Sequence, residues 1–446
     1  MLRKGDLTQG GITGTLLHFT LPMMVGSFLQ QCYNIADTLI VGQCIGAGAL
    51  AAVGSAYTLM VFLISVLLGL AMGSGTVFSL HYGAGNHVAL RRSIFSSFVL
   101  IGIVTLILNV AVFIWLDPIL RLLQVPQDIY GMMRSYSWII FCGIVFTFIY
   151  NFYASLLRAV GDSVTPLWFL AVSVVLNIAL DLFFILQLDW GIQGAAAATV
   201  LAQGVAALGI IIYTYRRRPE LRWHHEDMCF DRTCLMEIAS FSTLTCVQQS
   251  VMNLGILMIQ GLVNSFGTAV MAAFAAAVKI DSFPYMPLQE FGNAFSTFIA
   301  QNFGAGRYDR IHRGVRSAFV TAVVFSLLVS VLVFIFAKPL MLIFVRPDET
   351  EIIAVGVAYL RIEGAFYCGI GILFLLYGYY RAIRMPGMSV VLTVLSLGTR
   401  VVLSYWFASI PEIGVTGIWW SIPIGWLIAD VVGIWCYRYV KGVRGS

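Results

Sequence analysis

The chain is written twice. Gly83-Ala84-Gly85 recurs 221 positions later as Gly304-Ala305-Gly306. The same offset carries Gly46 onto Gly267, Ala51-Ala52 onto Ala272-Ala273, Pro118 onto Pro339 and Pro126 onto Pro347. Arg158-Ala159 returns as Arg381-Ala382, slightly further out of step. A shared offset across such unlike landmarks points to one ancestral unit of roughly 220 residues, present twice. Any fold for this chain has to be built from two similar halves.

Both halves are strongly apolar. Of the 446 residues 60% are hydrophobic and only 11% charged, against about 25% charged in soluble domains. Lipid has to be the solvent for much of this surface. The net charge of +5 does not imply nucleic acid, because the basic residues sit in short loops. The eight cysteines fall mostly inside apolar runs and read as packing residues. Cys229 and Cys234 lie near His224 and His225, but their spacing is poor for zinc. The first apolar run has full length and no small-residue cleavage site follows it, so no removable signal peptide is expected.

A spanning helix needs about 20 apolar residues, and twelve runs qualify. They lie near 15–42, 50–80, 93–116, 132–157, 164–188, 191–215, 236–263, 270–303, 314–336, 351–380, 387–409 and 413–439. Arginines and lysines orient them. One side holds Arg3, Lys4, Arg91, Arg92, Arg158, Arg216 to Arg218, Arg307, Arg310, Arg381 and the tail residues Lys441 and Arg444. The other holds Arg121, Arg134, Lys338 and Arg346. By the positive-inside rule the first side, with both termini, is cytoplasmic. Six spans per copy is an even number, so both copies enter from the same side. The expected fold is an all-α integral membrane protein with two six-helix lobes, related by a pseudo-two-fold axis along the membrane normal. Residues 1–215 form the N-lobe, 216–235 a cytoplasmic linker and 236–446 the C-lobe.

Charges inside apolar spans are costly and call for a reason. On the first span Gln30, Tyr33 and Asp37 share one helical face, with Asn34 beside them. Pro22 precedes them and is expected to kink the helix. Asn177 and Asp181 are four residues apart on the fifth span, and Thr199 lies on the sixth. Counted from the span ends at 1.5 Å per residue, Asp37, Asp181 and Thr199 all fall roughly 7–12 Å below the outer surface. Two carboxylates, an amide and a hydroxyl at one depth make an oxygen-lined cage. Asp37, Asn177, Asp181 and Thr199 are therefore the expected cation-coupling site, suited to Na⁺ or a shared proton. Gln30, Tyr33 and Asn34 are assigned to the substrate cavity. No other cofactor is expected.

The second copy does not repeat this pattern. From the Arg-Ala landmark, Asn177 maps to Arg400 and Asp181 to Ser404. Glu363 and Arg400 lie at similar depth and are expected to form a structural ion pair. Lys279 and Asp281 precede Pro284 and Pro287, which can break the helix and let the two charges meet. Asp430 and Glu290 receive no partner from the sequence.

The string LPMMVGSFLQQCYNIADTLIVGQCIGAGALAAVG resembles the first helix and outer loop of MATE (multidrug and toxic compound extrusion) transporters. LLRAVGDSVTP, VLNIALDLFFI and FIAQNFGAGRYDR resemble later segments of the same family, and the similarity covers nearly the whole chain. The pattern is most similar to the bacterial branch of the DNA-damage-inducible and staphylococcal multidrug exporters. The resemblance implies two six-helix lobes that export cationic, aromatic drugs in exchange for Na⁺ or H⁺. It also implies that Gln30, Tyr33, Asp37, Asn177, Asp181 and Thr199 form the N-lobe site. The helix-7 glutamate used by another branch is absent.

The expectation is a secondary antiporter, not an enzyme, in the bacterial inner or plasma membrane. Its partners are small organic cations and membrane lipid, with no nucleic acid, and it acts as a monomer by rocking of its two lobes. Two rivals fit less well. A lipid-linked oligosaccharide flippase wants a cationic cavity, and a membrane-embedded transferase wants a polar catalytic cluster, whereas His18, His81, His87, His224, His225 and His312 are scattered.

Overall fold

The structure is a computed structural model that describes residues 6–122, 125–228 and 231–444. Arg3, Lys4 and Cys229 lie outside the described residues, as do the side chains of Lys441 and Arg444. Among the described residues the chain is helical throughout. The first copy runs α1 (Ile12–Cys44), α2 (Ala47–Gly83), α3 (His87–Leu122), α4 (Gln127–Cys142), α5 (Ile144–Ala159), α6 (Val164–Leu182) and α7 (Gly191–Arg217). The second runs α8 (Arg232–Asn264), α9 (Thr268–Gly304), α10 (Tyr308–Leu342), α11 (Thr350–Gly364), α12 (Tyr367–Ala382), α13 (Pro386–Ala408) and α14 (Gly414–Arg444).

Ten of these helices are long and apolar enough to cross a membrane alone, and the bent pairs α4–α5 and α11–α12 bring the number to as many as twelve. Their flanks carry large apolar side chains that water would not tolerate in such number, Val175, Ile343, Val402 and Trp435 among them. The duplication is visible in the backbone. α2 and α9 begin and end 221 residues apart. Each is preceded by a glycine in the left-handed half of backbone space, Gly46 at φ 118° and Gly267 at φ 99°. A side chain is strained there, which explains why both copies keep glycine.

The fourth and tenth spans, read from sequence as continuous runs, are each broken. α4 and α5 meet at 45° around Gly143, and α11 and α12 at 51° around Ala365 and Phe366. At the first break the Gly143 amide closes a tight turn onto Ile140 O at 2.9 Å. A Cβ on Gly143 would lie 2.6 Å from Val200 Cγ2, so only glycine fits against α7. At the second break the Phe366 amide bonds Glu363 O at 3.0 Å, again one residue short of an α-helical bond. Pro284 and Pro287, by contrast, do not break α9, which continues through both.

The chain divides into two compact units. One contains Leu21–Cys246, the other Leu7–Thr20 with Val247–Ser446. The opening segment thus belongs with the second half, and the linker and the start of α8 belong with the first. In the first unit α2 packs on α3, α4 and α5, while α7 packs on α4, α5 and α6. The start of α8 presses on α2: a Cβ on Gly73 would lie 2.5 Å from Phe241 O, and Ser74 and Ser242 hydroxyls meet at 2.9 Å. In the second unit α9 packs on α10, α11 and α12, and α13 lies along α14. Residues 7–10 are held there by backbone carbonyls. Arg307 Nη1 donates to Thr8 O and Arg310 Nη1 to Gly10 O, each at 2.7 Å, while Gln301 accepts from the Leu7 amide at 3.0 Å.

The linker is ordered by the first unit. Trp223 sits among the Phe95, Phe98 and Tyr215 rings. Arg91 Nε donates to Asp227 Oδ2 at 2.7 Å, and the His224 amide donates to the same oxygen at 3.0 Å. Burial pushes the Asp227 carboxyl up, but Arg91 and the His224 amide outweigh it and hold it below the usual carboxylate range. A depressed carboxyl stabilises the folded form above its unfolded value and loses that contribution as pH falls through its folded value. Amide protection across residues 219–228 should therefore persist in acid down to below about pH 4. Arg91→Ala should lower it by about 1–3 kcal/mol at neutral pH, because a buried carboxylate loses its partner. Hydrogen exchange checks both, and protection unchanged in Arg91→Ala would refute the clamp.

Candidate ion and substrate site

Three elements of the first unit bring the expected residues together. α1 supplies Tyr33 and Asp37, α6 supplies Asn177 and Asp181, and α7 supplies Thr199. The carboxyl groups of Asp37 and Asp181 face each other closely enough to share a hydrogen bond. Asp181 is fully buried and Asp37 half-buried. One oxygen of each, Asp37 Oδ1 and Asp181 Oδ1, is buried and accepts no hydrogen bond from an N–H or hydroxyl group.

Asn177 fixes one edge of the pair. Its amide is assigned with nitrogen toward the carboxylate, since the opposite choice would set oxygen against oxygen. So oriented, Nδ2 donates to Asp181 Oδ2 at 2.9 Å, and the amide oxygen accepts from the Thr199 amide at 3.2 Å and faces Thr199 Oγ1 at 3.3 Å. The Tyr33 hydroxyl reaches Thr199 Oγ1 at 3.4 Å. Immediately beyond Asp181 the chain passes into one π-helical turn, Phe183–Gln187. Such turns relieve the regular helix pitch and recur beside functional residues.

The other sequence assignments are placed differently. Gln30 is solvent- or lipid-exposed, and Asn34 is half-buried with its Nδ2 on Gln31 Oε1 at 3.2 Å. Pro22 lies inside α1, which runs on unbroken. Tyr136 of α4, which the sequence did not single out, is buried within electrostatic reach of Asp37, Tyr33 and Asp181. Nothing in its spacing marks it, since α4 is brought to α1 and α6 only by the fold.

In the second unit the position matching Asp181 holds Ser404, whose hydroxyl pairs with Ser421 at 2.6 Å. Glu363 and Arg400 are in electrostatic reach, yet no ion pair of 4.0 Å or less joins them. The closer neighbour of Glu363 is Asp281. Lys279 and Asp281 do not meet: the helix carries Lys279 outward and Asp281 inward. Asp430 is buried beside Gly369, 3.7 Å from where a Cβ would sit. Among the described residues no group of three His, Cys, Asp or Glu could hold a metal ion.

The family comparison agrees with the duplicated backbone. The MatE family model matches residues 22–183 and again residues 245–406. The chain is 31% identical over 447 residues to the "Probable multidrug resistance protein YpnP" of Bacillus subtilis (strain 168), spanning 98% of this chain and 97% of that protein. It is 25% identical over 425 residues to the "Multidrug export protein MepA" of Staphylococcus saprophyticus, spanning 94% and 90%. Its fold superposes with a TM-score of 0.92, at 22% identity and 99% coverage of both chains, on a solved structure described as the "outward-facing conformation of a multidrug resistance MATE family transporter of the MOP superfamily". With the same family model met once in each half, and a relative above 30% identity along almost its whole length, the chain belongs to the MatE family of multi-pass membrane transporters, which are not enzymes.

Proposed function

We propose that the protein is a secondary antiporter that expels cationic, aromatic drugs in exchange for a proton or Na⁺ bound by Asp37 and Asp181. The observation that carries this reading is the carboxyl pair itself, buried in lipid-spanning helices with an oxygen on each member that no N–H or hydroxyl group serves. Two like charges about 4 Å apart repel by about 4 kcal/mol at an effective dielectric of about 20. The pair is therefore unstable when both groups are ionised and alone. A proton, a hard cation or a positively charged drug each relieves the repulsion, and any one excludes the others. That mutual exclusion is the thermodynamic requirement for exchange, because an ion can expel a drug only through differential binding. The curated relatives named as multidrug proteins support drugs as the cargo.

Asn177 favours the proton. Its amide presents N–H to Asp181 and spends its oxygen on Thr199. A sodium ion would want that oxygen turned into the cage, whereas a proton needs only the two carboxyls. The test is efflux of a fluorescent organic cation from liposomes under an imposed pH gradient, then under a Na⁺ gradient alone. The pH gradient is expected to drive efflux. Efflux driven only by Na⁺ would assign the site to that ion, and efflux driven by neither would refute antiport.

A further inference from the structure

We propose that the first unit carries a second ligand site, a cleft between α4 and the α6–α7 turn that takes a lipophilic organic cation. The cleft has a volume of about 710 Å³, within the range of about 300–1,000 Å³ that small-molecule sites occupy. Every residue that lines it belongs to the first unit, and none is Asp37, Asn177, Asp181 or Thr199. The arginine pattern puts this end of the helices on the outer side.

The mouth is built by the turn from α6 into α7. Asp189 and Gly191 both take left-handed backbone there, at φ 54° and 53°, a conformation that aspartate tolerates better than most residues. Asp189, Trp190 and Gln193 of this turn line the cleft. The Trp190 ring is held from one side. It stacks on Phe184, with centroids 5.0 Å apart and planes at 27°, and its backbone amide bonds Phe184 O at 3.0 Å. The residue is nonetheless 52% exposed. Asp189 is exposed too, and among the described residues it joins no salt bridge. The remaining walls are apolar, with Ile45, Met132, Ile139 and Ile192 among them.

These walls select the ligand. An anion would meet the Asp189 carboxylate, whose charge the positive end of α7 offsets by only about half a unit. A metal ion would find one carboxylate and one amide where it wants about six oxygens. A sugar or a peptide would leave most of its polar groups unpaired against isoleucine and methionine. A cation with an aromatic or aliphatic body meets every requirement. Its charge lies by Asp189 and over the open face of Trp190, and its body takes apolar wall out of water. A ring already held by Phe184 loses little freedom on binding.

The cleft borders the surroundings of the carboxyl pair. Met132, Tyr136 and Ile139 are four and three residues apart and share a face of α4. Met132 and Ile139 line the cleft, whereas Tyr136 between them is buried within electrostatic reach of Asp37 and Asp181. A drug released from the pair therefore has a holding site beyond Tyr136. That use of the cleft rests on the antiport reading, but binding in it does not.

The test uses the full-length protein, labelled with 5-fluorotryptophan and held in lipid discs. The fluorine resonance missing in Trp190→Phe belongs to Trp190. Tetraphenylphosphonium should shift it in the wild type and equally in Asp37→Asn, because the cleft does not use the carboxyl pair. Asparagine tolerates the same left-handed backbone, so Asp189→Asn should keep the turn and raise the probe concentration at half-shift by about three- to tenfold. Triphenylphosphine oxide, which has similar rings and no charge, should shift the resonance far less. A Trp190 resonance that tetraphenylphosphonium leaves in place would overturn the proposal. So would a shift lost in Asp37→Asn, one indifferent to Asp189→Asn, or one that the oxide reproduces; Trp190 would then be a membrane-interface anchor only. Wild-type efflux of the fluorescent cation is measured alongside. A Trp190 shift without pH- or Na⁺-driven efflux leaves the cleft standing and refutes antiport, and efflux without the shift does the reverse.

Discussion

Asp37→Asn and Asp181→Asn are each expected to abolish gradient-driven efflux while the protein remains folded. Asparagine keeps the size of the side chain and a hydrogen-bonding head, so the packing of α1 on α6 survives. What it removes is the charge whose repulsion makes ion and drug compete. With one partner neutral, the term of about 4 kcal/mol between the two carboxylates vanishes, and with it up to about a thousandfold of the preference for binding a cation. The variants should extract, purify and unfold as the wild type does, yet confer no resistance on a drug-sensitive host and show no pH-driven efflux in liposomes. Because neither half of the pair can hold the exchange alone, the double variant should be no worse than either single one. Wild-type efflux with wild-type ion dependence in both single variants would eliminate the mechanism.

How legible this was in the sequence depended on whether the relevant residues shared a period. The repeat, the spans and the glycines at 46 and 267 follow from spacing along one chain. Asn177 and Asp181 shared a helical face by being four residues apart, and depth counting set Asp37 and Thr199 at one level; in the structure Asp37 meets Asp181 and Thr199 meets Asn177. Asp281 and Glu363 share neither a helix nor a spacing, and their meeting depends on how α9 packs on α11. The prolines after Asp281 suggested a break that does not occur, because Pro284 and Pro287 lie inside a helix packed by three neighbours that hold it together. The breaks that do occur, at Gly143 and at Ala365-Phe366, lie in runs that each still pass as one span by length and hydropathy. Tight packing against Val200 sets the first of them, and a hydropathy count does not register packing. The attachment of residues 7–20 to the second unit was likewise invisible, since Arg307 and Arg310 bind backbone carbonyls and select no side-chain pattern.

Asn177→Leu should move the pH dependence of transport rather than abolish it. In the wild type the Asn177 amide donates to Asp181 Oδ2 at 2.9 Å, and such a bond stabilises the ionised carboxylate more than the protonated one. Hydrogen bonds to charged groups contribute about 1.5–3 kcal/mol, so deleting the donor makes proton loss harder by roughly 10–100-fold. Leucine fills a similar volume on the buried face of α6, and Thr199 keeps its bond to Ala195 O at 3.1 Å, which limits collapse of the site. The half-maximal point of pH-driven efflux should therefore shift upward by about one to two pH units. Drug should also be bound more weakly at neutral pH, because more of the sites hold a proton. A Na⁺-coupled site predicts the opposite pattern: removing an oxygen ligand would weaken the ion and leave the pH profile in place. An unchanged pH profile with a raised Na⁺ requirement would therefore reject the proton reading of the first unit and leave its carboxyl pair as a sodium site.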